Sequence, residues 1–72
     1  MKIKGTVVYQ ELEGGFWGII ADNNQQYEPV SELPKAVQID NGRVEAEIEP
    51  ADVISFKMWG QPVYIRSIKR IS

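Results

Sequence analysis

Glu45, Glu47 and Glu49 recur at every second residue, so on an extended strand their carboxylates share one face at steps of about 6.5 to 7 Å. Paired carboxylates at such separations serve glycoside hydrolysis, one as acid and the other as base or nucleophile. The acid, however, needs a desolvated cleft to hold its proton. A row on an open strand wall is hydrated, and it reads as a solvated face. Nucleophilic and metal chemistry have still less to work with, because none of the 72 residues is histidine or cysteine. That removes the commonest general base and metal ligand, all thiolate zinc sites and all disulfides. Asp22-Asn23-Asn24 lacks the full ligand loop of a calcium hand. The expectation is a protein that is not an enzyme, with no metal and no cofactor.

The remaining chemistry is contact. Phe16, Trp17, Tyr27, Phe56, Trp59 and Tyr64 are too many rings for the interior of a small barrel, which is filled mostly by aliphatic side chains. Some of them must lie outside. Phe16 and Trp17 are neighbours, so on a strand they point to opposite faces. Trp17, Tyr27 and Trp59 are the candidate contact residues for a protein or small ligand. Against this stands the reading in which Trp59 and Tyr27 only plug the two barrel ends.

The cations suggest an alternative. Lys2, Lys4, Lys57, Arg66, Lys69 and Arg70 all lie in residues 1–10 and 57–72, which hold no acid, whereas residues 11–56 hold all ten acids against Lys35 and Arg43. The ends therefore carry +6 and the middle −8. If the first and last strands lie together, a basic strip results, suited to single-stranded nucleic acid with phosphates on the cations and bases on the rings. The overall charge of −2 and a pI near 5.0 argue against it, since nucleic-acid-binding domains usually carry a basic excess. The same charges also serve to keep strand faces soluble.

The elements that must position these residues are strands. Lys2 to Gln10 alternates, with Ile3, Gly5, Val7 and Tyr9 on one face. Glu13-Gly14-Gly15 supplies a tight hairpin, and Phe16 to Ala21 follows as a strand apolar on both faces. After the polar turn Asp22 to Gln25 comes a short strand, Gln26 to Glu28, ended by Pro29. Ser31 to Pro34 is expected to hold at most one helical or 3₁₀ turn, and residues 35–39 to be irregular or a short strand. Asp40-Asn41-Gly42 leads into Arg43 to Glu49, where Val44, Ala46 and Ile48 oppose the acids. Pro50-Ala51-Asp52 breaks the chain before a strand at Val53 to Met58, Trp59-Gly60-Gln61-Pro62 is a turn, and Val63 to Ile71 closes the protein. In that last strand the apolar spacing slips between Ile65 and Ile68, as at a β-bulge.

A single all-β domain over residues 1–72 follows. Such a chain buries only about 60% of its unfolded surface, and closing the sheet removes edges it would otherwise expose. The strand order suits a small five- to six-stranded OB-like barrel with one short helical turn, an SH3-like barrel being the alternative. The start has no apolar run of signal-peptide length and no stretch nears a membrane span. A cytoplasmic protein is expected, of open oligomeric state.

Gly14-Gly15-Phe16-Trp17-Gly18-Ile19, Tyr27-Glu28-Pro29 with Leu33-Pro34, and Met58-Trp59-Gly60-Gln61-Pro62-Val63 together resemble a group of small prokaryotic OB-like barrel proteins. The resemblance runs over nearly the whole chain. It implies the fold and brings with it no activity and no catalytic residue.

Overall fold

The computed structural model describes residues 1–11, 14–53 and 59–71. Five strands are formed: β1 (Lys2–Gln10), β2 (Phe16–Ala21), β3 (Gln26–Pro29), β4 (Arg43–Pro50) and β5 (Gln61–Arg70), with a 3₁₀ turn at Lys35–Val37. They close into a barrel in the order β1-β2-β3-β5-β4, an OB-like arrangement. β3 and β5 run parallel; the other neighbours are antiparallel.

The interior follows from the alternation. Val7, Ile19, Val44, Ala46, Ile48 and Val63 are fully or almost fully buried, and Ile3, Trp17, Ile65 and Ile68 pack against them. Burying one such aliphatic side chain contributes about 1.5–3 kcal/mol, so each is a sizeable fraction of the net stability of so short a chain, about 5–15 kcal/mol at most. The phase slip of the last strand is a bulge: Glu47 pairs with Ser67 but Ile48 with Ile65, leaving Arg66 as the extra residue. The bulge is what returns Ile68 to the side of the core.

Two local expectations are corrected. The helical turn lies at Lys35–Val37, one step after Ser31 to Pro34. A proline disfavours helical backbone in the residue before it, so the turn starts only after Pro34, whose carbonyl accepts the Val37 N–H at 3.0 Å. Gln61 and Pro62 belong to β5, not to a turn. Pro62 has no N–H to give, yet its carbonyl accepts the Ala51 N–H at 2.9 Å. The strand expected at Val53 to Met58 lies outside the described residues, apart from the exposed Val53.

Candidate functional site

The β1–β2 hairpin places Tyr9 opposite Trp17 and Gln10 opposite Phe16. Tyr9 and Trp17 both point to the inner side, at the end of the barrel, and meet edge-on with ring centroids 5.0 Å apart and planes 63° apart. Gly15, at φ 99°, lets the Tyr9 hydroxyl lie against its Cα, where any Cβ would collide with that oxygen.

Across from this hairpin, the β2–β3 ladder stops early. Ile19 pairs with Tyr27 and Ile20 with Gln26, but the register does not continue to Trp17 and Pro29. Pro29 has no N–H for a ladder, and the two strands part there. The widening is a groove of about 450 Å³, in which Tyr9, Trp17 and Pro29 face Glu32, Lys35 and Gln38. Below it, Leu33 and Val37 are buried and close the core, and the Gln38 amide holds their loop by donating to the Leu33 carbonyl at 2.8 Å. With only one 3₁₀ turn between β3 and β4, nothing covers the groove among the described residues.

The three candidate contact rings do not form one site. Trp17 lines the groove. Tyr27 is 7% exposed and belongs to the core cluster, which leaves almost no ring surface for a ligand, so its reading as a contact residue is corrected. Trp59 lies on the outer face of β2, its ring seated on Gly18 with no space for a Cβ, and edge-on to Phe16 at 5.6 Å. It therefore plugs no barrel end, and the strand alternation puts it on the opposite side of β2 from Trp17. Tyr9, 44% exposed, lines the same groove, although its ring is not among the candidates that the sequence suggests. Its partnership with Trp17 follows from hairpin symmetry about the residues before Gly14-Gly15.

Comparison with known proteins gives no lead. No family model, curated protein or solved structure matches this chain.

The basic strip is also rearranged by the topology. β4 lies between β1 and β5, so the acidic row separates the terminal strands. Glu45 takes Lys2 at 3.8 Å and Lys69 at 3.6 Å, Glu49 takes Arg66 at 2.8 Å, and Glu47 takes the amino terminus at 2.6 Å. The Arg66 fork bonds both oxygens of Glu49, and this hydrogen bonding, reinforced by the guanidinium charge, holds the Glu49 carboxyl below its ordinary range. Arg43 likewise forks onto Asp22 and lowers its pKa, chiefly through the hydrogen bond. Lys4 and Arg70 are exposed, and Lys57 lies outside the described residues. The expected one-sided basic face is thus replaced by an alternating wall of opposite charges. No group of three potential metal-ligating side chains occurs, and no helix is long and apolar enough to cross a membrane, among the described residues.

Proposed function

We propose that this chain is a non-catalytic binding module, cytoplasmic in location, that takes its partner at the open barrel end, with Trp17 and Tyr9 as contact rings. One observation carries the reading: the barrel end opens as a groove with exposed side chains in its wall. Tyr9 and Val30 line it and are 44% and 39% exposed. Ile39, 41% exposed, lies between groove-lining Gln38 and Asp40, whose carboxylate accepts the Tyr9 N–H at 2.9 Å. Concave sites are where proteins take ligands, and an aromatic pair beside polar side chains offers both ring surface and hydrogen-bonding groups.

Catalysis draws no support from the acidic row, since each of its three carboxylates faces a cation on an open wall. Single-stranded nucleic acid on the terminal strands is a weaker reading for the same reason. A phosphate backbone would first have to displace Glu45 and Glu49 from Lys2, Lys69 and Arg66, against an overall negative charge.

The test is amide shift perturbation on the isotope-labelled chain, titrated with oligonucleotides, oligosaccharides, divalent metal ions and peptides. The expected perturbations centre on Tyr9, Trp17 and residues 29–38, whichever class binds. Perturbation confined to Lys2, Lys4, Arg66 and Lys69 on adding oligothymidylate would replace this reading with the nucleic-acid one.

A further inference from the structure

The groove offers main chain as well as rings. The Lys4 carbonyl accepts the Asp22 N–H at 2.9 Å, and the Ala21 N–H donates to the Gln25 carbonyl at 2.9 Å. In β2, therefore, the even-numbered residues bond to β1 and the odd-numbered ones face β3. Ala21 with Gln25 and Ile19 with Tyr27 are successive hydrogen-bonded pairs of that ladder, and the next in register is Trp17 with Pro29. That pair does not form. Pro29 has no N–H for the Trp17 carbonyl, and the two Trp17 backbone groups find no other ladder partner among the described residues. Val30 bonds to Val63 on the β5 side at 3.0 Å, so the Pro29 carbonyl turns toward β2. One donor and two acceptors thus face the opening.

Other strand edges are closed or blunted. On the far side of β1, Val7 donates to the Gly42 carbonyl at 2.8 Å and accepts from Asn41 at 2.7 Å, and the Asp40 carboxylate takes the Tyr9 N–H. β5, whose pairing with β3 ends at Val63, continues through the bulge at Arg66 and the cations Lys69 and Arg70. Bulges, charges and covering turns are how proteins keep strand edges from pairing. Phe16-Trp17-Gly18 carries neither a charge nor a bulge.

Given that the barrel end is the contact site, we propose that its occupant is an extended segment of a partner polypeptide that adds to the edge of β2 and bonds to the Trp17 main chain. In this mode backbone bonds give the affinity and alternate side chains the preference. The residue opposite Trp17 lies on the same face of the sheet, beside the Tyr9–Trp17 pair, where a β-branched or aromatic side chain packs best. The groove lining holds one carboxylate, Glu32, and one ammonium, Lys35, so it selects no net charge in the segment. A polyproline helix, a sugar or a nucleic acid offers no strand backbone to the free groups.

The experiment uses the whole 72-residue chain and a pool of capped octapeptides, with valine, isoleucine or tyrosine at alternate positions and serine or glutamine between. At saturation the pool is expected to shift the Trp17 amide and slow its exchange with solvent at least about tenfold, with an affinity that added salt leaves unchanged. Replacing one amide of the tightest peptide by an ester removes an N–H without adding bulk. At the position opposite the Trp17 carbonyl it is expected to weaken binding about three- to tenfold, the loss of one hydrogen bond, and at the positions on either side by less than about twofold. Pro29→Val returns an N–H opposite Trp17. It is expected to extend the β2–β3 ladder, to protect the Trp17 amide in the free protein and to abolish peptide binding.

Peptide binding that tolerates an ester at every position would overturn the proposal, as would a proline-rich octapeptide pool binding as tightly. Trp17 shifts that grow with protein concentration alone would overturn it in favour of a second copy of the chain. Oligothymidylate or an oligosaccharide shifting the groove amides while the peptide pool does not would overturn it too. Each of these outcomes leaves the barrel-end reading standing. If no ligand of any class shifted the groove amides, both would fall together.

Discussion

The ring of Trp59 rests on Gly18, on the outer face of β2, in the place a Cβ would occupy. Gly18→Ala must therefore displace the indole from β2 and from its edge contact with Phe16. Overpacking of this kind costs about 1–3 kcal/mol. The expected outcome is a lower denaturation midpoint with an unchanged dependence on denaturant, together with a change in tryptophan emission. Native stability in Gly18→Ala would show that the indole is not held there.

Leu33 is 3% exposed under a loop with only one 3₁₀ turn. Leu33→Ala is expected to cost about 2–5 kcal/mol, a large share of the roughly 5–15 kcal/mol that small domains possess. Chemical denaturation monitored by circular dichroism measures it directly. A loss below about 1 kcal/mol would mean that the loop does not close the core.

Tyr9 shields one edge of Trp17. Edge-to-face pairs contribute about 0.5–1.5 kcal/mol beyond the area they bury, so Tyr9→Ala should destabilise by about 1 kcal/mol. It should also red-shift tryptophan emission and raise its quenching by acrylamide. In a Trp59→Phe background the whole signal belongs to Trp17, and an unchanged quenching constant there would refute the pairing.

Asp22 and Glu49 are held below their ordinary range, each chiefly by hydrogen bonds from an arginine fork. A carboxyl with a lowered folded pKa binds fewer protons folded than unfolded, so it adds stability above the unfolded pKa, near 4, and loses it as pH falls through the lower folded value. Melting temperature should therefore drop as pH is lowered from about 5 to below the carboxylate range. Both groups are exposed, and the effect is small. Arg66→Gln should flatten the part due to Glu49, and identical profiles would remove that pair from the account.

The strand boundaries were legible where alternation and turn chemistry agreed. Lys2–Gln10 and Phe16–Ala21 formed as read, and the slip between Ile65 and Ile68 became the bulge at Arg66. What spacing could not supply was lateral order. Whether the acid row lies beside the basic strands or away from them depends on closure, and β4 between β1 and β5 turned a supposed basic strip into ion pairs. The rings failed for a similar reason. Tyr27 and Trp59 are both flanked by turn residues, and nothing local says that one ring goes inward while the other lies on a glycine of a different strand. Tyr9 shares its strand face with Ile3, Gly5 and Val7, and only the hairpin register shows it at the open end of the barrel opposite Trp17.

The place of β4 also bears on how the molecule is reached. One neighbour, β5, follows it directly in the chain, but the other, β1, comes from the far end, so the β1–β4 ladder forms only when distant segments meet, and all-β topologies of this kind fold over milliseconds to seconds. In the unfolded chain the +6 ends and the −8 middle attract one another over about a Debye length. The ion pairs on that wall, each worth little at equilibrium, are thus expected to assist assembly more than final stability. Added salt should slow refolding more than it weakens the finished barrel.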